Sequence, residues 1–328
     1  MPAETAAPTI ADVRRAAERI AGHAIRTPLI RSAALDEAIG ARVFVKPETL
    51  QRTGSFKFRG AYNAISVLSR EERDRGVVAV SSGNHAQGVA EAARLFGIRA
   101  TIVMPFDAPV IKRERTIRNG ARIVDYDRSS EDRDAVVADF IAADGGVLVH
   151  PYNDPNVIAG QGTAGLEIAD DCAAMGVRPD VVAIPCSGGG LASGVGLAIR
   201  DRFPAVSILL VEPKGFDDYA RSLAAGRIVV NDAAAGSICD SLLATSPGAI
   251  GFSINRANGA SAIAVSDDEA LAAVAFAFRE LKLVAEPGGA VALAALLSGR
   301  VAVKDQTVVL VLSGGNIDPP LLLRALEA

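Results

Sequence analysis

Ser55-Phe56-Lys57-Phe58-Arg59-Gly60 is the stretch on which the reading of this chain turns. The turn-prone Gln51-Arg52-Thr53-Gly54 precedes it, and a helical pattern begins just after it. A lysine between two phenylalanines points to an enclosed, partly dry site. Desolvation disfavours the ammonium, and a neutral amine can attack a carbonyl carbon to form an imine. Most lysines are ordinary solvated charges, so this reading needs support from elsewhere in the chain.

Two further stretches supply it. Ser81-Ser82-Gly83-Asn84-His85-Ala86-Gln87-Gly88 offers small hydroxyl and amide groups at an expected helix start. Ser187-Gly188-Gly189-Gly190-Leu191 follows an apolar run ending at Pro185 and precedes another helical pattern. Its glycines let backbone amides approach an anion closely, and the dipole of the next helix favours negative charge, so a phosphate suits it. The same segment imitates a dinucleotide fingerprint, with Gly188, Gly190 and Glu212 in place but Ser193 where a third glycine should stand. A nicotinamide-dependent oxidoreductase is therefore a rival from another class, and a non-catalytic amino-acid sensor is a second.

The bulk properties narrow the field. Of 328 residues half are hydrophobic, and the mean hydropathy is +0.27, enough for a large core and for two lobes. A net charge of −4 with no basic stripe makes nucleic acid an unexpected partner. Cys172, Cys186 and Cys239 are scattered, which argues against a disulfide framework or a zinc site and fits a reducing cytoplasm. Met1-Pro2-Ala3-Glu4 lacks the basic start of a signal peptide, and the richest apolar run, Ala290 to Leu297, is too short to span a bilayer. No membrane association is expected.

Short β-branched runs alternate with longer helical patterns, the signature of parallel α/β architecture. Strands are expected at Arg42–Lys46, Val77–Val80, Ala100–Met104, Arg122–Tyr126, Val147–Val149, Val181–Pro185, Ile208–Glu212, Ala262–Val265 and Thr307–Leu312. Helical spacing marks Gln87–Phe96, Thr163–Met175, Leu191–Phe203 and Glu269–Lys282, and capping boxes open at Ser69 and Ser266. A strand after Pro151-Tyr152 and a helix after Gly160-Gln161-Gly162-Thr163 read as the return from one lobe to the other.

With a fourth stretch, Ser313-Gly314-Gly315-Asn316, these motifs run in one order from about Ile10 to the last helix. In that order the chain resembles the fold-type II pyridoxal-phosphate enzymes (tryptophan synthase β-like), specifically the serine/threonine dehydratase and serine racemase family. The resemblance implies two open parallel-sheet α/β domains. Residues 52–148 would be a small inserted domain, and residues 1–51 with 149–328 the large cofactor-binding one. Periodicity alone would have suggested two consecutive halves.

The resemblance also implies the roles. Lys57 would form the imine with the cofactor aldehyde and, once freed, remove the Cα proton. Ser187, Gly188, Gly189, Gly190 and Leu191 would hold the phosphate, and Phe56 or Phe58 would pack on the cofactor. Asn84 would contact the phenolic oxygen. Ser313 would face the pyridine nitrogen with a hydroxyl, leaving the ring a weaker electron sink and favouring elimination. Ser81, Ser82, Gly83, Asn84 and His85 would bind the substrate carboxylate, His85 being a helix-start histidine bonded to its neighbours rather than a base. Glu212, Asp218 and the Phe216 carbonyl resemble the family's cation loop, a set of hard oxygens for Mg²⁺, Ca²⁺ or K⁺. A homodimer is expected on the same ground.

Substrate and outcome rest on fewer residues. Ser82 matches the position where racemases carry a serine on the cofactor face opposite the lysine, and threonine dehydratases commonly carry alanine. Arg133 aligns with an arginine that contacts a second carboxylate, which would admit 3-hydroxyaspartate. Little chain follows Pro319-Pro320, so a C-terminal regulatory domain is not expected. Gly236-Ser237-Ile238-Cys239-Asp240-Ser241 departs from the family's Ile-Ala-Asp-Gly and would reshape the pocket. The expectation is an ammonia-lyase of β-hydroxy amino acids such as L-threonine or L-serine, with serine racemase or 3-hydroxyaspartate dehydratase as the alternative.

Overall fold

The computed structural model describes residues 6–127, 129–232 and 235–327, so Met1-Pro2-Ala3-Glu4 lies outside the described residues. Ten strands form in chain order: β1 (Ile30–Arg31), β2 (Arg42–Pro47), β3 (Val77–Val80), β4 (Ala100–Pro105), β5 (Arg122–Tyr126), β6 (Val147–Leu148), β7 (Val181–Pro185), β8 (Ser207–Pro213), β9 (Ser261–Val265) and β10 (Thr307–Leu312). They build two sheets, one of six strands in the order β1-β2-β10-β7-β8-β9 and one of four in the order β5-β4-β3-β6. Every pairing is parallel except β1 with β2, which is antiparallel.

The helices are α1 (Ile10–Ile20), α2 (Ala33–Ile39), α3 (Lys57–Ser66), α4 (Arg70–Arg75), α5 (Asn84–Phe96), α6 (Val110–Arg118), α7 (Arg133–Asp144), α8 (Pro155–Ala174), α9 (Gly190–Arg202), α10 (Asp218–Ala225), α11 (Ala249–Ala257), α12 (Asp267–Phe276), α13 (Pro287–Leu297) and α14 (Pro319–Glu327). Successive strand residues point to opposite faces, so a sheet covered on both sides needs an unbroken apolar run. In the six-stranded sheet Val308, Leu310 and Leu312 pack towards α12 and α13, while Val309 and Val311 pack towards α8 and α9. The smaller sheet repeats the device, with Val77 and Ala79 facing α3 and α5, and Val78 and Val80 facing α7.

The capping boxes form as expected: the Ser69 and Ser266 hydroxyls each accept the amide three residues on, at 3.2 Å. Three expectations need correction. No strand follows Pro151-Tyr152; Asp154 caps α8, its carboxylate accepting the amides of Asn156 and Val157 at 2.7 and 2.9 Å. The helix expected from Thr163 thus begins at Pro155 and runs through Gly160 and Gly162. Those glycines are contact points, not breaks. A Cβ on Gly160 would lie 2.6 Å from the Arg59 carbonyl oxygen of α3, and one on Gly162 2.8 Å from the Gly194 carbonyl oxygen of α9, so the pair lets α8 pack closely on both helices. The helix expected to reach Lys282 leaves α-geometry after Phe276, passing through a π-turn at Ala277–Leu281 to Lys282, whose φ is 58°.

A buried ion network anchors the start of α3. Arg59, fully buried, donates to both oxygens of Glu48 at 2.7 and 2.8 Å and to both oxygens of Glu167 at 2.7 and 2.9 Å. Lys46 adds a bond to Glu167 at 2.6 Å. Two cations and two carboxylates thereby fasten the lysine-bearing helix to β2 and α8.

Candidate active site

Three strands of two sheets end at one place. Ser81 follows β3, Ser187 follows β7 shortly after Pro185, and Ser313 follows β10, so a cavity of about 460 Å³ opens beyond the carboxyl ends of the strands. That is where open α/β sheets bind ligands, and the volume suits a cofactor with a small substrate. The start of α3 is pinned at this edge: Ser55 bridges Gly314, and the Phe56 amide donates to the Ser313 carbonyl at 3.1 Å.

Lys57 lines the cavity, with its Nζ donating to the Pro151 carbonyl at 2.8 Å and lying 5.3 Å from the centre of the Phe56 ring. Burial, only partly opposed by the charge of Glu286, lowers its pKa from 10.5 to about 8. The amine is therefore neutral in about one molecule in ten near pH 7, far more often than a solvated lysine. Of the two flanking rings only Phe56 borders the cavity; Phe58 turns into the core and stacks obliquely on Tyr62.

The glycine loop forms the facing wall. Gly189 has φ 89°, and a Cβ there would meet the Tyr219 hydroxyl at 2.3 Å; one on Gly188 would meet the Tyr152 ring at 2.2 Å. Only glycine admits this backbone, and α9 begins at Gly190 with its amides directed towards the cavity end. The Ser187 hydroxyl accepts the Ala244 amide at 3.2 Å, which ties the loop to the 240–245 segment.

Across the cavity the Ser81–Asn84 turn is held by the Gly83 amide donating to Ser81 Oγ at 3.0 Å. Ser82 and Ser313 both line the cavity. Asn84 accepts from Asn316 Nδ2 at 2.7 Å and gives one amide hydrogen to Glu286, so one remains. His85 corrects the expectation of local bonding: its Nε2 pairs with the distant Val149 carbonyl at 2.8 Å, and its Nδ1 is buried without a partner. Burial, with Lys57 adding to it, lowers its pKa to about 3, so it is neutral. Arg133 lines the cavity from the start of α7, but its guanidinium is paired with Asp134 at 2.9 Å.

Glu212 and Asp218 lie together at the end of β8 and the start of α10. Glu212 is buried, its oxygens accepting the amides of Tyr219 and Ala220, each at 2.9 Å. Buried and turned to the amides of α10, it is not the exposed carboxylate that a ribose hydroxyl needs, which weighs against the dinucleotide reading of Gly188 and Gly190. Burial lifts Glu212 to about 9 and Asp218 to about 6, and Asp218 Oδ2 is buried without a partner. Among the described residues no group of three or more His, Cys, Asp or Glu is arranged to hold a metal. Nor is any described helix long and apolar enough to cross a membrane.

Three participants have little or no signature in the sequence. Lys112 on α6, Asp240 and Glu286 meet at the cavity: Lys112 Nζ donates to Asp240 at 2.6 Å and to Glu286 at 3.2 Å. Burial works against the Lys112 charge, but Glu286 and Asp240 outweigh it and hold that pKa above its ordinary value. Only Asp240 fell within a stretch the sequence had marked.

The residues present fit pyridoxal phosphate. A lysine of lowered pKa, an amide-lined glycine loop at a helix start and a hydroxyl at Ser313 surround one cavity, and would serve as an amine, a phosphate cradle and a ring-nitrogen partner. A family model described as pyridoxal-phosphate dependent enzyme matches residues 20–314. An L-threo-3-hydroxyaspartate ammonia-lyase from a Pseudomonas species is 43% identical over 307 residues, 94% of this chain and 95% of that protein. An L-threonine ammonia-lyase from Thermotoga maritima is 41% identical over 321 residues, 97% of this chain and 78% of that one. The solved structure of maize serine racemase superposes with a TM-score of 0.91 at 38% identity, covering 98% of each chain.

Proposed function

The chain belongs to the pyridoxal-phosphate dependent enzyme family, and on that premise we propose that it is an ammonia-lyase of β-hydroxy amino acids. L-threonine and L-serine are its substrates, and an α-keto acid and ammonia its products. The reading is carried by one observation: a lysine amine with its pKa lowered to about 8 faces a glycine-loop anion cradle across a single cavity. Relatives named threonine and hydroxyaspartate ammonia-lyases support it.

When bound, pyridoxal phosphate supplies an aldehyde that condenses with an amine and a ring that draws electrons from the adjacent carbon. Lys57 provides the amine, and its Nζ then accepts the proton of the substrate Cα. Ser187, Gly188, Gly189, Gly190 and Leu191 would hold the phosphate, and Phe56 would pack on the ring. Asn84 would offer its remaining amide hydrogen to the phenolic oxygen. Ser313 would offer the ring nitrogen a hydroxyl, which cannot keep that nitrogen protonated as a carboxylate does. The amides of Ser82, Asn84 and His85, with the Ser81 hydroxyl, receive the substrate carboxylate through charge-assisted hydrogen bonds, while the Gly83 amide, held by Ser81 Oγ, fixes the turn. Water is lost across Cα and Cβ and regained on hydrolysis, so the net change is amino acid to keto acid and ammonia.

A second reading within the family rests on Ser82, whose side chain borders the same cavity. Its hydroxyl would exchange a proton with the other face of Cα, giving serine racemisation. Arg133, released from Asp134, would take the second carboxylate of 3-hydroxyaspartate. The purified enzyme is to be incubated with L-serine, L-threonine and both threo- and erythro-3-hydroxyaspartate, with keto acid and enantiomers measured. Keto acid from L-threonine supports the lyase; D-serine alone contradicts it. Ser82→Ala should abolish any racemisation and spare elimination.

Further parts of the reading rest on the family pattern. Residues 52–148 form the small inserted domain, and residues 1–51 with 149–328 the large one. Glu212, Asp218 and the Phe216 carbonyl hold Mg²⁺, Ca²⁺ or K⁺, and the unpartnered Asp218 oxygen supports this. The enzyme works as a homodimer in the cytoplasm.

A further inference from the structure

Lys112 is 2% exposed, yet its side chain reaches two carboxylates from distant parts of the chain. Its helix, α6, packs on α5 beside the smaller sheet, whereas Asp240 precedes α11 and Glu286 caps α13, both beside the larger one. One ammonium therefore joins the elements of the two sheets across the cavity that all three residues touch or adjoin.

Each partner continues to a part of the site. Glu286 passes the contact to Asn84, whose amide donates to the other Glu286 oxygen. Asp240 opens the turn that leads to Ala244, whose amide donates to Ser187 at the glycine loop. The lysine stem also lies against the carboxylate-binding turn: a Cβ on Gly83 would be 3.1 Å from Lys112 Cδ and 3.4 Å from its Nζ. Two carboxylates gathered beside a buried amide network repel each other unless a cation sits between them. Lys112 is that cation. Without it Glu286 must take up a proton or withdraw, and either change removes the charge-assisted bond that orients Asn84.

We propose that Lys112 is a positioning residue for the reaction, fixing the Ser81–Asn84 turn through Glu286 and the 240–244 segment through Asp240, so that both walls of the cavity hold one spacing. The inference rests on the reading given under Proposed function and extends it to a residue outside the lysine, serine and glycine motifs.

Lys112→Met keeps the stem and removes the charge. Three readouts are compared with the unaltered protein: amide hydrogen exchange, the visible band of the pyridoxal-phosphate-loaded protein, and KM against kcat. Exchange should quicken at residues 81–85 and 240–244 and stay unchanged in α1 and α14. The visible band should shift as Asn84 loses its fixed direction. KM for the amino acid should rise roughly tenfold or more, about the worth of one charge-assisted hydrogen bond. A loaded Lys112→Met protein with the same band, KM and exchange would overturn the proposal. Should that variant not fold, Asp240→Asn decides. It leaves the Lys112–Glu286 pair, and it should quicken exchange at 240–244 and raise KM; no change in either overturns the proposal. If the unaltered protein never develops a visible band, the cofactor reading is what fails, and exchange at 81–85 and 240–244 still decides the clamp.

Discussion

Mixing the apoprotein with pyridoxal phosphate across a range of pH tests whether burial has made Lys57 a nucleophile. Only the neutral amine condenses with an aldehyde. The folded pKa is about 8 against the ordinary 10.5, and a gap of 2.5 units means about 300-fold more neutral amine wherever both forms are mainly protonated. At about pH 7 that is roughly one molecule in ten, against about one in three thousand for a solvated lysine. Stopped-flow absorbance should therefore show a rate of band formation that climbs about tenfold per pH unit and flattens above about 8. Lys57→Ala should give no band. Replacing Phe56 by serine, which admits water beside the amine, should move the plateau towards higher pH. Linkage adds a second signature. Because the folded pKa is the lower one, the unfolded chain binds more protons between about 8 and 10.5, so Lys57 makes the apoprotein more stable as pH rises through that window. Lys57→Met should remove that rise. A rate that keeps climbing through pH 10.5 would show an ordinary solvated amine and refute the reasoning.

Gly189→Ala must adopt φ 89° and place a methyl 2.3 Å from the Tyr219 hydroxyl, so cofactor affinity measured by fluorescence titration should fall roughly tenfold or more. Arg59→Met leaves Glu48 buried without its cation and should cost about 3–5 kcal/mol in urea unfolding; adding Glu48→Gln should recover part of that loss. Without a cation the raised pKa values of Asp218 (about 6, from 3.8) and Glu212 (about 9, from 4.5) favour folding at low pH, and that contribution is lost as pH rises through these windows. A bound cation reverses the trend, so the melting temperature should rise more with Mg²⁺, Ca²⁺ or K⁺ near pH 9 than near pH 6; indifference to all three ions near pH 9 would count against the cation loop.

The fold was legible because both sheets are covered on two faces, and β3, β7 and β10 consequently read as unbroken apolar runs. Motifs confined to one strand-to-helix turn were equally legible, since residues 56–57, 81–85 and 187–191 each meet the cavity as consecutive residues. Lys112 was not. It stands among Arg113, Glu114 and Arg115 on a charge-rich helix, and its meaning lies in partners 128 and 174 residues away. Local pattern carries no trace of such a meeting. Gly160 and Gly162 misled for a related reason: in isolation a glycine pair suggests a break, but here the space it clears is filled by Gly60, Arg59 and the Gly194 backbone. His85 illustrates the same limit, because its partner Val149 arrives from the end of the smaller sheet.

Borohydride fixation followed by peptide mass spectrometry tests the central claim most directly. The account predicts the pyridoxyl phosphate mass on Lys57 and on no other lysine, since the more deeply buried Lys46 and Lys112 are engaged by Glu167 and by Asp240 with Glu286. Modification at either of those residues in place of Lys57, or a protein that emerges unmodified, would contradict it.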